Sequence, residues 1–491
     1  MASVKLSAAN RDFFQRLTQS AFANPFSDER IASDLLAAGQ PVDSNIRLDD
    51  AVVCLLDDLK HRVDELERNG AADIRLYPTD DAKRLQIGLL FLVFHLNLND
   101  MDRMIVQQAK TTGEIVSAPC THAMFQRLLG YGIAPQNAQL DIGFFFQLRR
   151  AFYFIAQQLV GDSACMKRLR MQLWRNIFTH DTQTYIDVLY GRLEDFSTLL
   201  LGETGTGKGA AAAALGKSGF IPYDAEKRRF SDNFTRAFIS VNLSQFSEQL
   251  IESELFGHKK GAFTGAVENH DGVFARCSPH GAIFLDEIGE VSEPIQIKLL
   301  QVLQEREFSP VGSHNKLRFG GRVIAATNRE LSEERREGRL RNDFFYRLCS
   351  DRIELPPLRQ RIAENPAELE LLTSSILSRI AGEQSGPLVA PTVERITNGV
   401  GDNYPWPGNV RELEQAVRSV LLTGSYPGDP SLQDNNANGD FPNELTNGTF
   451  SLEQLGSWYC RRLYNRHKSY GKVAEITQTD WRTVKRLINQ G

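Results

Sequence analysis

A chain of 491 residues holds about three domains at ~150 residues each, and 42% hydrophobic with 24% charged residues describes a globular rather than a disordered protein. A net charge of −5 excludes a general electrostatic pull toward nucleic acid, so any DNA contact has to come from a local basic patch. Six scattered cysteines (Cys54, Cys120, Cys165, Cys277, Cys349 and Cys460) form no CxxC pair, which argues for reduced thiols in the cytoplasm and against a structural zinc site.

The opening residues, Met1-Ala2-Ser3-Val4-Lys5, lead into polar sequence without the apolar core of a secretory signal. The most apolar run, Gly88 to Leu98, reaches about half of the ~20 residues needed to cross a bilayer and is interrupted by His95 and Asn97. It is expected to be a buried helix, with no membrane partner. Residues 1–155 are expected to form a mainly helical regulatory domain. Leu55, Leu56, Leu59, Val63 and Leu66 recur at helical spacing, as do apolar residues over 87–96 and 144–159. No strand ending in an acid occurs there, the pattern that a phosphate-accepting receiver needs. The aromatic stretch of Phe144, Phe145, Phe146, Phe152, Tyr153 and Phe154 reads as a core or dimerising helix ahead of a pocket wall.

Residues 156–424 alternate short apolar strands with amphipathic helices, the pattern of a parallel sheet covered on both faces. Strands are expected at 197–201, 237–241, 281–285 and 323–326. The first runs into Gly202-Glu203-Thr204-Gly205-Thr206-Gly207-Lys208-Gly209. Glycines there let backbone N–H groups converge on phosphate oxygens, Lys208 adds positive charge, and the following alanines start a helix whose positive end faces the anion. Nucleotide binding is the expected function, with ATP and Mg²⁺ as cofactors. The third strand stops in Asp286-Glu287, at the carboxyl edge where such sheets bind ligands. Asp286 is expected to hold the metal through water, and Glu287 to polarise an attacking water. Between these motifs, Gly261-Ala262-Phe263-Thr264-Gly265-Ala266 offers an aromatic ring on a backbone with little bulk around it, suited to gripping another protein.

These motifs, in this order, resemble those of the sigma-54-dependent transcriptional activators, the bacterial AAA+ enhancer-binding proteins. The hexapeptide at 261–266 is similar to that family's sigma-contacting signature, and the resemblance covers Gly161 to about Arg418. Gly209 stands where many phosphate loops carry a metal-binding hydroxyl, and the family generally lacks that hydroxyl too. Further roles follow from the resemblance alone. Asn242 matches the residue that couples nucleotide state to the sigma-contacting loop, and Thr327-Asn328 matches the first sensor. Arg341 and Arg347 match arginines offered to a neighbouring subunit's ATP, which requires a ring, a hexamer by resemblance. Arg411 matches the second sensor, on a helical lid beginning near residue 360. Stretches 182–195 and 219–234 look longer than the family's usual connections and are expected as loops on the outer face of the ring.

Residues 425–449, rich in Pro, Gly, Asn and Asp, read as a flexible linker. In residues 450–491, eight basic side chains against three acidic ones leave the segment at +5. Three helices are expected, at 452–466, 472–476 and 480–489, with Asp480 as an N-cap and Val473, Ile476, Val484 and Leu487 as the core. That leaves Lys472, Trp481, Arg482, Thr483, Lys485 and Arg486 to meet DNA, as a recognition helix does. The segment resembles a Fis-type helix-turn-helix, with Thr477 where leucine is usual, and its first helix is expected to pair subunits. The expected whole is a multidomain chain: a mainly helical N-terminal domain, an α/β AAA+ P-loop ATPase core with a helical lid, and an all-α C-terminal helix-turn-helix. By resemblance it is a cytoplasmic bacterial activator, nucleoid-associated when bound to upstream enhancer DNA. It would use ATP hydrolysis to remodel sigma-54 RNA polymerase holoenzyme, passing from dimer to hexameric ring.

Overall fold

The computed structural model describes residues 4–42, 48–111, 113–401, 403–429 and 451–489. Most of the expected linker, from residue 430 to 449, lies outside the described residues. Helices of seven or more residues are numbered. The N-terminal part holds α1 (Ala8–Phe22), α2 (Asp28–Ala37), α3 (Leu48–Arg68), α4 (Thr79–Leu96), α5 (Leu98–Lys110), α6 (Pro119–Gly130), α7 (Pro135–Gln158) and α8 (Ala164–Phe178). Ser7 and Ser27 cap α1 and α2, and proline at the first turn starts α6 and α7, where a missing N–H costs nothing. The apolar run at 88–98 belongs to α4, with Leu89, Leu92 and Val93 buried. Among the described residues no helix is long and apolar enough to cross a membrane.

The central sheet has five parallel strands: β1 (Thr198–Leu201), β2 (Phe238–Asn242), β3 (Ala282–Asp286), β4 (Arg322–Thr327) and β5 (Asp351–Glu354). Their spatial order is β2-β3-β4-β1-β5. Four strands fall within a residue or so of the expected ones. The fifth was not anticipated, because Asp351-Arg352-Ile353-Glu354 buries Ile353 alone. It is an edge strand, registered Thr198 to Asp351 on β1, and its charged residues face outward.

Crossovers supply α9 (Lys208–Gly216), α10 (Glu248–Phe256), α11 (Glu293–Glu305) and α12 (Asn342–Leu348). Four more helices follow, α13 (Leu358–Glu364), α14 (Glu368–Ala381), α15 (Val389–Val400) and α16 (Asn409–Thr423), packed around Leu377, Ile396, Trp406 and Leu413. Alternation along each strand divides the sheet's two faces. Leu200, Phe284, Ile324 and Ile353 join one core with the N-terminal helices, whereas Leu199, Ile283, Leu285, Val323 and Ala325 join another with α10, α11 and α12.

The first of these cores is continuous from Phe13 in α1 to Leu215 in α9, so the N-terminal helices share their interior with the P-loop helix. The expected boundary at 155/156 falls inside α7. The expectation that 182–195 and 219–234 are outer loops is overturned. Residues 223–224 and 229–230 form a hairpin whose Phe230 stacks on Phe146 of α7 at 4.2 Å, and Ala118 N donates to Arg228 O. In the other stretch a helical turn at 182–184 and a π-turn at 185–189 bury Tyr185, whose hydroxyl accepts from Gln147 of α7 at 2.7 Å. Both insertions clasp the N-terminal helices.

The C-terminal residues form α17 (Leu452–His467), α18 (Tyr470–Thr477) and α19 (Trp481–Asn489). Ser451 and Gln454 make a reciprocal cap on α17, and Asp480 Oδ1 accepts from Arg482 N at 2.8 Å. Val473 and Val484 are buried as expected, but Ile476 is 41% exposed. Cys460 of α17 is buried in their company instead, since α18 turns Ile476 past the three-helix contact.

Candidate functional site

The phosphate loop leaves β1 at Leu201 and enters α9 at Lys208. Gly205 and Gly207 have φ of +81° and +101°, a backbone that side chains resist, and a Cβ on Gly205 would lie 2.1 Å from the carbonyl oxygen of Gly408. Glycine is therefore required by close approach as well as by conformation. Lys208 is buried, and its ammonium donates to the carbonyls of Gly202 at 2.8 Å and Glu203 at 3.2 Å. Burial pulls its pKa below the ordinary lysine value, while Glu287 and Asp286 act in the opposite direction and Arg411 adds to the lowering. Those influences place Lys208, the acidic pair and Arg411 in one electrostatic neighbourhood.

Register brings the strand ends together. Asn242 of β2 pairs with Asp286 of β3, and Leu201 of β1 pairs with Thr327 of β4. Glu287 has φ +56°, so the chain turns sharply after β3. Asp286 Oδ1 accepts from Glu287 N at 3.1 Å, and among the described residues neither carboxylate has an ion-pair partner. Asn328 Nδ2 donates to Thr204 Oγ1 at 3.1 Å, tying the end of β4 to the loop. Asn242 Oδ1 accepts from Ser244 N and Oγ, shaping the turn that leads to α10.

The helical subdomain closes over this loop through a residue that motif reading passed over. Asn409 is buried with φ +51°; it accepts from Leu358 N at 2.7 Å and donates to Glu203 Oε2 and Thr204 O at 3.1 Å each. Val410 N donates to Gly205 O. Arg359 clamps Glu203 with two bonds of 2.8 and 2.5 Å, holding that carboxyl below its usual range. The signal was present in Pro407-Gly408-Asn409, since asparagine tolerates the left-handed backbone better than most residues.

Beyond α10 the 261–266 segment is a closed loop. Gly261 N donates to Ala266 O at 2.8 Å, Ala266 N donates to Phe263 O at 3.0 Å, and Gly261 and Gly265 have φ of +82° and +105°. Phe263 is 38% exposed and meets His258 edge-on at 4.9 Å, while Thr264 is exposed. Ala262 packs so closely on Gly312 that a Cβ there would lie 2.8 Å from the alanine's own. The loop base thus rests on the hairpin formed by residues 307–308 and 317–318.

Arg341 precedes α12 as its N-cap residue, and Arg347 lies in its last turn. Arg341 bonds Glu293 at 2.8 Å and Asp343 at 2.9 Å, which raise its pKa, and Arg347 donates to Leu303 O at 3.0 Å. Neither makes a hydrogen bond to the phosphate loop or the acidic pair within the described residues. In the C-terminal unit Lys472, Trp481, Arg482, Lys485 and Arg486 are exposed, Thr483 is half-buried, and Arg482 lies over the Trp481 ring.

Comparison with known proteins agrees with this geometry. Residues 182–354 match the Sigma-54 interaction domain family. The Nif-specific regulatory protein of Azotobacter vinelandii is 39% identical over 275 residues, covering 56% of this chain and 46% of that protein. The transcriptional regulatory protein ZraR of Salmonella typhimurium is 41% identical over 234 residues, 47% of this chain and 49% of its own. Regulatory protein AtoC of Escherichia coli is 38% identical over 235 residues, covering 48% and 47%. The chain spans about half the length of these relatives. Among solved structures, NtrX from Brucella abortus in complex with ADP aligns with a TM-score of 0.41 at 21% identity, over 74% of this chain and 75% of that one. Over residues 182–354 this chain is therefore similar to the Sigma-54 interaction domain, an AAA+ ATPase module.

Proposed function

We propose that the whole chain is an ATP-driven transcriptional activator that binds upstream DNA and remodels sigma-54 RNA polymerase holoenzyme. The observation that carries this reading is the joint presence of a glycine-required phosphate loop, an acidic pair beside Lys208 and a closed, phenylalanine-bearing loop in one matched domain. The residues fit the nucleotide. Cβ atoms added at Gly207 or Gly209 would meet nothing within 4 Å, so there is open space beside the loop, and Lys208 is held next to it. A magnesium ion would supply charge neutralisation between phosphate oxygens. Asp286 would orient it, and Glu287 would accept a proton from the attacking water. Among the described residues no three potential ligand side chains cluster, so phosphate oxygens and water would complete its coordination.

Asn242 lies in register with Asp286 and at the root of α10, whose far end becomes the 261–266 loop. A change at the acidic pair would thereby reach Phe263. Arg341 and Arg347, engaged with side chains and a carbonyl of their own subunit, would serve a neighbour's nucleotide in a hexameric ring. The domain plan that accompanies this reading assigns regulation to 1–155, ATPase work to 156–424, a linker to 425–449 and DNA binding to 450–491. Support for the last comes from the +5 charge and from the exposed basic face of α19.

The test is an in vitro transcription assay at a sigma-54 promoter with purified protein and ATP. Open-complex formation that requires Phe263 and Glu287 is expected, and its absence with the cognate upstream site present overturns the proposal. Arg347→Ala and Glu287→Ala subunits should each be inactive alone and regain turnover when mixed. Continued inactivity of the mixture would sink the shared-site arrangement. Removal of 450–491 should abolish specific DNA binding.

A further inference from the structure

The first residues of the expected linker are a strap on the helical subdomain. After α16 the chain turns at Gly424, with φ +83°, and residues 425–429 run back toward the start of that helix. Ser419 Oγ donates to Ser425 O at 2.8 Å. Tyr426 packs on the subdomain core, and its carbonyl oxygen comes so near α15 that a Cβ on Gly399 would lie 2.0 Å from it. Gly428 is buried with φ +80°, and a Cβ there would lie 3.0 Å from the Tyr404 ring. Asp429 N donates to the Tyr404 hydroxyl at 2.8 Å. Residues 430–449 then lead on to the C-terminal helices.

Both tyrosines end on one carboxylate. Glu412 lies buried in the first turn of α16. Its Oε1 accepts from the Tyr404 hydroxyl and from the Tyr426 hydroxyl at 2.9 Å, and its Oε2 accepts from Gly408 N at 2.8 Å. Burial, and then the Glu412 carboxylate, push Tyr404 up to about 12 and move Tyr426 the same way, so both stay hydroxyl donors near neutrality. The bond to Gly408 N is the one that reaches the phosphate loop. It pins a turn in which Trp406 and Asn409 have φ of +50° and +51°, a backbone that residues other than glycine keep only where their surroundings enforce it. That turn holds the loop. Asn409 Nδ2 donates to Glu203 Oε2 and Thr204 O, Val410 N donates to Gly205 O, and the Gly408 carbonyl leaves Gly205 no room for a Cβ.

Strap and loop are thus two ends of one short chain of bonds: Tyr426 to Glu412, Glu412 to Gly408, and residues 408–410 to 203–205. A strap seated on Glu412 keeps the carboxylate where it caps Gly408. A strap that lifts frees the carboxylate to turn toward water, and the strained turn can then relax and withdraw Asn409. A loop fixed in advance takes up phosphates at a lower ordering cost than one that must be fixed on binding. Linkage also runs in reverse, so a nucleotide that prefers the fixed loop must tighten the strap.

We propose that Glu412 is a positioning residue of the nucleotide site, and that the 425–429 strap sets through the Tyr426 hydroxyl how firmly the phosphate loop is held, so that the tether of the C-terminal helices acts on that loop. This rests on the nucleotide-binding reading above. The probe is ADP with magnesium, titrated calorimetrically into the full chain and its variants. Tyr426→Phe loses one hydroxyl and keeps the packed ring, so the fold should stand while ADP binds at least about threefold more weakly. Glu412→Gln, with one acceptor oxygen where three donors meet, should weaken ADP at least about tenfold. Asn409→Gly accepts the left-handed backbone and removes the side-chain clamp, and in that protein Tyr426→Phe should add less than about 1.5-fold, because its effect travels through the clamp. Saturating ADP should slow amide hydrogen exchange over 425–429 at least about twofold in the unaltered chain and leave it unchanged in Asn409→Gly. An unaltered chain that binds no ADP overturns the nucleotide reading and this proposal with it. If that chain binds ADP, the proposal alone is overturned by equal binding in Tyr426→Phe or in folded Glu412→Gln, by independent losses in the double variant, or by exchange over 425–429 that ignores ADP.

Discussion

The two faces of the central sheet are built from alternate residues of the same strands and do different work. On one face Leu200, Phe284 and Ile324 disappear into a core shared with the whole N-terminal half. On the other, Leu199, Ile283 and Val323 pack under α10, α11 and α12, which carry or flank the 261–266 loop and Arg341 and Arg347. One face is rigidly occupied by helices of the same chain. The opposite face ends in exposed elements, among them Phe263 and Tyr346. On the function proposed above, side-chain alternation makes the sheet a partition with an input side and an output side, and the phosphate loop sits at its carboxyl edge.

Lys208→Ala strikes that shared edge and should cause the largest loss. Nucleotide binding and turnover should fall at least about 100-fold, measured by equilibrium binding and phosphate release, with both faces intact by circular dichroism. Phe263→Ala tests the output face alone. Sigma-54-dependent transcription should be lost while turnover stays within about twofold and stability within about 1 kcal/mol, since the ring is partly exposed. A matching loss of turnover would erase the distinction between the faces.

Arg150→Met tests the input face. This guanidinium is fully buried, brought down to about 9 by burial, and forms no ion pair among the described residues; it bonds carbonyls at the negative end of α9 and lies over the Phe146 ring at 4.5 Å. Its removal leaves those carbonyls unsatisfied and should cost about 2–4 kcal/mol in urea unfolding, with disturbed nucleotide affinity. A neutral result in both measurements would detach α7 from the phosphate loop. The smallest effect concerns pH. His95 titrates near 3 when folded, so the unfolded chain takes up a proton below its ordinary value while the native protein refuses it. Stability should therefore fall as pH drops toward that value, by up to about 1.4 kcal/mol per pH unit, and His95→Phe should flatten the slope between about pH 6 and pH 4. A slope unchanged by the substitution would remove this group from the acid response.

Much of the central site was legible before any fold was known, because its chemistry is local. A phosphate loop needs glycines and a lysine within eight residues, a strand ending in two acids announces its own position, and GAFTGA occupies one turn. The same locality explains the four apolar strands and most helices. β5 was missed because an edge strand buries only one residue in four, and Ile476 was misplaced because a helix of eight residues offers two nearly equivalent apolar faces.

Residue order along the chain was enough to determine an α/β module with a phosphate loop and a glycine-flanked aromatic loop, since each motif's local geometry rests on neighbours a few positions away. Only tertiary packing decided that the stretches 182–195 and 219–234 clasp the N-terminal helices, that Asn409 locks the helical subdomain onto the phosphate loop, and that Tyr404 and Tyr426 converge on Glu412. Those partners lie tens to hundreds of residues apart, as with Glu203 and Asn409. Their meeting depends on how whole helices stack, and hydrophobic burial, which drives that stacking, has no direction that a linear pattern records.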